Sequence, residues 1–217
     1  MSVSAGERAP EQFEESDSGP QIDAPSVRIE IARLMPRHAH TAQKIHQEGR
    51  IAAQPHGDLI AAHVIAEFRD ENSTMEGRTT KQWEDMIAGR LGNNVVFASF
   101  VVLDTEDRIK RPGEDTPKSI ARASVVDGVN YLRNFYVAPD VPSPRREHAD
   151  PLFLKVVEHF GDEGFHILTA EHNERAIAYY ERHGCVASSA SGLGYTMQGV
   201  YIPQVELISS PRVNLLH

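Results

Sequence analysis

The stretch Asn173-Glu-Arg-Ala-Ile-Ala-Tyr-Tyr-Glu-Arg-His-Gly-Cys185 carries most of what this chain says about its fold. Asn173 can cap a helix, Glu174 suits its first turn, and Gly184 can end it. Ala176, Ile177 and Tyr180 fall on one face at helical spacing. The apolar run Phe165-His-Ile-Leu-Thr-Ala170 just upstream reads as a buried strand. Together they predict a strand, a short turn and an amphipathic helix that presents a tyrosine to the core.

Working towards the N-terminus, Asp150-Pro151 reads as the N-cap and first residue of another helix. Its buried stripe is Leu152, Phe153, Val156, Val157 and Phe160. Strands are predicted over Val129 to Val137 and Ser119 to Val126, joined by an Asp127-Gly128 hairpin turn. A charged loop from Asp104 to Lys118 precedes them, and before it a strand from Val95 to Leu103. Three helical segments lie further upstream. One begins at Thr79, which with Gln82 forms a capping box, and buries Trp83, Met86, Ile87 and Leu91. The others run from about Asp58 to Phe68 and from about Arg37 to Glu48. A first strand spans Val27 to Leu34, and two further strands are predicted between Cys185 and Ile208, around Ser191-Gly-Leu-Gly194. The order β-α-α-α-β-β-β-α-β-α-β-β gives an α/β fold with a mixed, mainly antiparallel sheet flanked by helices.

Composition narrows the function classes. The chain has 217 residues with 40% hydrophobic and 24% charged side chains, which suits one globular core. Its formal net charge of −9 argues against general nucleic-acid binding and gives a weak preference for a cationic substrate. The single cysteine, Cys185, excludes an internal disulfide and agrees with a cytoplasmic location. No signal peptide or membrane-length apolar run is read, so no membrane partner is expected. Residues 1–26 hold six acidic side chains against one basic, Arg8, with few large apolar residues, and are expected to form a flexible acidic tail preceding a domain from 27 to 217. The eleven histidines show no metal-ligand spacing, so scattered surface histidines and no metal site are expected.

The order Asn173-x-x-Ala176-x-x-x-Tyr180-x-x-x-Gly184-Cys185 resembles the N-x-x-A-x-x-x-Y-x-x-x-G motif, followed by an apolar residue, of the GNAT N-acetyltransferases. The resemblance implies acetyl-CoA as co-substrate, with Asn173 along the pantetheine arm and Tyr180 protonating the departing thiolate. Asn134-Phe-Tyr-Val-Ala-Pro-Asp140 is similar to the family's apolar strand ending in V-x-P-D/E, which splays from its neighbour. By that resemblance, the backbone of Phe135, Tyr136 and Val137 would hold the pantetheine arm and polarise the thioester carbonyl. The chain departs from the family in the next segment, Val141-Pro-Ser-Pro-Arg-Arg-Glu-His-Ala-Asp-Pro151. The family has Q/R-x-x-G-x-G/A here, with amides that cradle a pyrophosphate; this chain has three prolines and no glycine.

Arg145 and Arg146 are the groups there that suit an anion, while Glu147 and Asp150 bring negative charge to the same place. Two readings stand side by side. The chain is an N-acetyltransferase moving acetyl directly to a primary amine, with a small molecule favoured over a protein as acceptor and homodimer formation left open; or it is a catalytically silent GNAT-like binding domain. The general base is open between Glu171, a histidine and a water chain. Cys185 reads as a packing residue. Deleting residues 1–26 should leave the melting temperature and any activity essentially unchanged; a melting temperature lower by several degrees would show that the segment packs on the fold.

Overall fold

The computed structural model describes residues 29–53, 59–70, 75, 77–90, 96–104, 116–197 and 199–209. The acidic segment 1–26, most of the loop 104–118 and Leu91 lie outside the described residues. In chain order the elements are β1 (Ile29–Arg33), a 3-10 turn (Pro36–His38), α1 (Ala39–Ala52), α2 (Leu59–Arg69), α3 (Thr80–Ile87), β2 (Val96–Asp104), β3 (Pro117–Val126) and β4 (Val129–Val137). Then come α4 (Arg146–Phe160), a 3-10 turn (Gly161–Glu163), β5 (His166–Ala170), α5 (Glu174–Arg182), β6 (Cys185–Ala187), β7 (Gly194–Met197) and β8 (Val200–Ser209).

The sheet runs β1-β2-β3-β4-β5-β8-β6, with β7 paired to β8. Every pairing is antiparallel except β4 with β5, which α4 connects as a crossover. Asp127 (φ 50°) and Gly128 (φ 79°) both adopt positive φ, as a tight β3–β4 hairpin turn requires. Thr79 and Gln82 form the expected capping box at the start of α3.

Two apolar layers sandwich the sheet. On one face Leu152, Phe153, Val156 and Phe160 of α4 and Tyr180 of α5 pack with Ala121, Ala123, Leu132 and Ile167. On the other, Ala39, Ala42 and Ile45 of α1 and Trp83 and Met86 of α3 pack with Ile120, Leu103 and Ala138. Among the described residues no helix is long and apolar enough to cross a membrane.

Three expectations are corrected. α4 starts at Arg146 and carries Pro151 inside it, because Ala149 already belongs to the buried stripe that continues through Leu152 and Val156 and so extends the helix backwards. Three strands rather than two follow Gly184, the third being the short edge strand β6. Nor are the histidines confined to the surface: His38, His46 and His148 are buried.

His46 is the most consequential of these. It lies 1% exposed on α1, and its Nδ1 donates to the Gly77 carbonyl (3.2 Å), which also accepts from Trp83 Nε1 (3.0 Å). A carbonyl only accepts, so Nδ1 carries the proton. Burial, reinforced by Arg50 and Arg122, lowers the His46 pKa to about 3. Gly77 itself sits at φ +75°, where an added Cβ would press on His46 and Trp83.

With a pKa near 6.5 in the unfolded chain, His46 binds a proton there first as pH falls. The stability it contributes above pH 6.5 is therefore lost progressively towards pH 3. We predict a loss of about 2 kcal/mol from this residue between pH 7 and 5. Denaturant unfolding at both pH values should show a shallower acid slope in His46→Gln; equal slopes in the two proteins would refute it.

Candidate active site

β4 and β5 are paired only through Tyr131↔His166 and Leu132↔Ile167. Beyond that point they part. Asn134 to Val137 stay with β3, and Leu168 to Ala170 stay with β8. The parting coincides with a β-bulge, because the β3–β4 register steps from Arg122↔Asn134 to Ala123↔Leu132 and leaves Arg133 as the extra residue. The bulge resets the alternation of side chains. Leu132 and Phe135, three residues apart, both pack in the α4 layer, while Tyr136 packs in the α1 layer.

The same alternation decides where the backbone groups point. Ala138 N donates to Lys118 O across the β3–β4 ladder (2.8 Å). One step back on that side, the N–H and C=O of Tyr136 face β3, and those of Phe135 and Val137 face the gap. Of the three residues singled out on β4, two thus offer backbone groups to the opening and Tyr136 does not.

A cavity of about 590 Å³ fills one side of the gap. All seven residues picked from sequence line it: Phe135, Tyr136, Val137, Arg145, Arg146, Asn173 and Tyr180. A second cavity of about 350 Å³ lies beside it and shares Ala53, Phe135, Tyr136, Asn173, Ala176 and Tyr180 with the first. Tyr180 therefore borders both spaces, whereas Tyr179 borders only the larger.

Tyr180 is 6% exposed, and burial, with Tyr136 and Cys185 nearby, pushes its pKa well above the ordinary tyrosine value. Its hydroxyl stays protonated at any physiological pH. Tyr179 is shifted the same way by burial and then by Asp150, which lies against its hydroxyl. Its ring stacks on His183 (4.3 Å between centroids), whose Nε2 stands 3.4 Å from Asp150 Oδ1. Cys185 is buried in the core as expected, and burial pushes its thiol up to about 11, so it is not a nucleophile at neutral pH.

Asn173 is the N-cap of α5, its Oδ1 accepting from Ala176 N (3.2 Å). The carboxamide NH₂ is the part of this side chain that can still donate to a ligand. Arg145 donates through Nη2 to the Pro139 carbonyl (2.8 Å) and through Nε to that of Val141 (3.4 Å), which fixes the loop before α4. Arg146 is exposed at the first position of α4. Neither Glu147 nor Asp150 is among the residues lining the larger cavity; the carboxylate that does line it is that of Glu174.

Sequence reasoning missed several residues. Gly49, Ala52 and Ala53 of α1 form a floor of small side chains under the larger cavity, legible only as small residues at helical spacing. Gly49 is required by close approach, since a Cβ there would collide with the Tyr136 ring. Arg175 and Arg182 of α5 also reach the cavity, bringing its guanidinium groups to four. Glu171 lines neither cavity; the histidines that do are His172 and His46.

No family model matches the sequence, and no curated protein matches it. Solved structures do match the fold. The PaiA N-acetyltransferase of Thermoplasma acidophilum in complex with coenzyme A superposes with a TM-score of 0.55 at 11% identity, over 82% of this chain and 98% of its own. NAA60 of Arabidopsis thaliana with a bisubstrate analogue gives 0.56 at 15%, over 83% and 97%. The spermidine N-acetyltransferase of Vibrio cholerae with coenzyme A and spermine gives 0.56 at 12%, over 83% and 94%. The chain has the mixed sheet and flanking helices of the GNAT fold.

Asn173 has two separable duties, capping and presenting a carboxamide. Asn173→Ala should lower stability by about 1 kcal/mol, while Asn173→Asp should keep the cap and the stability. Equal destabilisation by both, read from denaturant midpoints, would show that the cap is not what this side chain supplies to folding.

Proposed function

We propose that this chain is an N-acetyltransferase that moves an acetyl group from acetyl-CoA to a primary amine by direct attack. The observation that carries the reading is the gap between β4 and β5, with outward-facing backbone groups along one edge and Tyr180 on the wall common to both cavities. One cavity takes the coenzyme, the other admits the acceptor, and they meet where the reaction has to occur.

Bound acetyl-CoA supplies a thioester: a C–N bond forms to the amine as the C–S bond breaks, the nitrogen gives up a proton, and the sulfur gains one. The N–H groups of Phe135 and Val137 face the place where negative charge develops on the carbonyl oxygen, which is the most effective position for fixed donors. Tyr180, held neutral by burial, donates its proton to the leaving sulfur. Asn173 donates to the amide groups of the pantetheine arm. Arg145 and Arg146 hold the pyrophosphate, Arg145 from a guanidinium already anchored on the loop carbonyls. Arg175 and Arg182 add charge around the remaining phosphate.

The silent-domain alternative rested on the acidic, glycine-free loop, whose Glu147 and Asp150 are not among the residues lining the larger cavity, where four arginines stand with the carboxylate of Glu174. Calorimetry with acetyl-CoA tests the proposal. Each charge-assisted contact contributes about 1.5–3 kcal/mol, so Arg145→Ala/Arg146→Ala should bind at least a hundredfold more weakly than wild type. Tyr180→Phe should lower kcat roughly tenfold to a hundredfold with unchanged coenzyme affinity, and Tyr179→Phe much less. A wild-type protein that binds no acetyl-CoA at millimolar concentration would return the chain to the binding-domain reading.

A further inference from the structure

The gap has a second edge, that of β5. No residue of β5 lines the larger cavity, whereas Ile167, Leu168, Thr169 and Ala170 line the second. Ser209 N donates to Phe165 O (2.9 Å) and Glu171 N to Pro203 O (3.0 Å), so the odd-numbered residues of this run turn their backbone groups to β8. Those of His166, Leu168 and Ala170 face the other way, towards β4. In the register of the last pair, Leu132↔Ile167, the Leu168 N–H donates to the Leu132 carbonyl. The Ala170 carbonyl accepts from Asn173 N (2.9 Å) at the turn into α5. Two groups are left on this edge where the strands part: the Leu168 carbonyl and the Ala170 N–H.

Their spacing is that of one missing ladder residue. In a parallel pair, a residue donates its N–H to one carbonyl of the neighbouring strand and accepts from the N–H two positions further on. A β4 that continued alongside β5 would supply Asn134 for this, opposite Thr169. The bulge instead pairs Asn134 with Arg122 on β3, and the edge it would have covered borders the second cavity. The group that completes the ladder there is an N–H and a carbonyl separated by a single carbon.

We propose that the acceptor is an α-amino acyl unit, H₂N–CHR–C(=O)–, seated opposite Thr169 with its amine on the Leu168 carbonyl and its carbonyl oxygen on the Ala170 N–H. The inference rests on the acetyltransferase reading and deepens it. It divides the split sheet between two substrates. The larger cavity reaches β4 and not β5, so the coenzyme takes the β4 edge and the acceptor the β5 edge. An amine held through one N–H on a fixed carbonyl keeps its lone pair free to face the thioester on β4. A free amino acid, an amino-acid amide and the amino terminus of a peptide all carry this unit. A simple amine, the spermine bound by the Vibrio cholerae enzyme included, has no such carbonyl and leaves the Ala170 N–H without a partner. Strand-like pairing ends after this one residue, because Asn173 already occupies the Ala170 carbonyl.

The test uses full-length protein, acetyl-CoA and acceptors that differ only in the carbonyl group. Alaninamide is paired with ethylamine, leucinamide with isoamylamine, and phenylalaninamide with phenethylamine. The matching free amino acids and dipeptides show which source of the unit is preferred. Acetyl transfer is followed as free thiol released. In at least one pair, the member with the carbonyl should exceed its partner about tenfold or more in kcat/KM.

Amide hydrogen exchange, read by NMR with coenzyme A in place of acetyl-CoA, gives a second measure. The Ala170 amide should slow about tenfold or more when the best of these amides is added, and should not slow with coenzyme A alone. The Leu168 amide, with its ladder bond, should be protected throughout. Ala170→Pro removes the donor without breaking a bond to β8, and should abolish the difference within the pair while acetyl-CoA affinity is unchanged. Should that variant not fold, the exchange measurement on the wild type decides. If acetyl-CoA binds and the simple amines are used equally well or better, or coenzyme A alone protects Ala170, the inference fails and the acetyltransferase reading stands. If acetyl-CoA does not bind, the underlying reading fails and takes this inference with it.

Discussion

Everything about the site depends on two strands that stop pairing. A parallel pair normally continues along its length, because each buried N–H and C=O needs a partner. Here β4 and β5 share two register pairs and then separate, β4 held to β3 and β5 to β8. The bulge at Arg133 makes this possible. It bends β4 away from β5 and shifts its alternation, so that Phe135 enters the α4 core while Tyr136 meets α1. Gly49 completes the arrangement by letting α1 come against the Tyr136 ring. The backbone groups of Phe135 and Val137 face an opening instead of a strand, which leaves them without the ladder a neighbouring strand supplies.

The opening divides two cavities whose arginines have different surroundings. Around the larger cavity, Arg146, Arg175 and Arg182 are exposed, so keeping them charged costs little and their attraction for a phosphate is screened by salt. In the second cavity Arg122 is buried and the walls are aromatic, so each interaction is stronger and more sensitive to geometry. The first arrangement suits a long, highly charged, readily exchanged coenzyme.

Much of the fold could be read from local chemistry. The Asp127-Gly128 turn, the Thr79 capping box, the Asn173 cap and the apolar run before it each have a short-range cause, and each was placed correctly. Tyr180 and the β4 residues were singled out because their order is distinctive, and they line one cavity. What escaped has non-local causes. The bulge at Arg133 has no glycine or proline to announce it; it follows from fitting β4 between two layers of helices. Pro151 was read as a helix start because its ring disfavours a helix interior, yet the buried Ala149 and His148 draw the helix back to Arg146. Arg175 and Arg182 carry no sequence signal of their own, and only the nearness of the loop before α4 brings them to the same cavity as Arg145 and Arg146.

The glycine-free loop follows from that same nearness. At the start of α4, Glu147 N donates to Pro144 O (3.2 Å), and His148 N and Ala149 N both to Arg145 O (3.1 Å each). The amides of Glu147, His148 and Ala149 are thereby engaged within the chain, and the neighbouring prolines have none to offer. An anion at this end of the cavity would draw mainly on side chains. Long side chains lose as much as about 2 kcal/mol of rotamer freedom when they are ordered. Arg145 has already met part of that cost, because its guanidinium rests on the Pro139 and Val141 carbonyls before any ligand arrives. A helix start whose amides are engaged and a loop that fixes one arginine are thus two sides of one arrangement, which leaves guanidinium groups as the donors best placed for an anion.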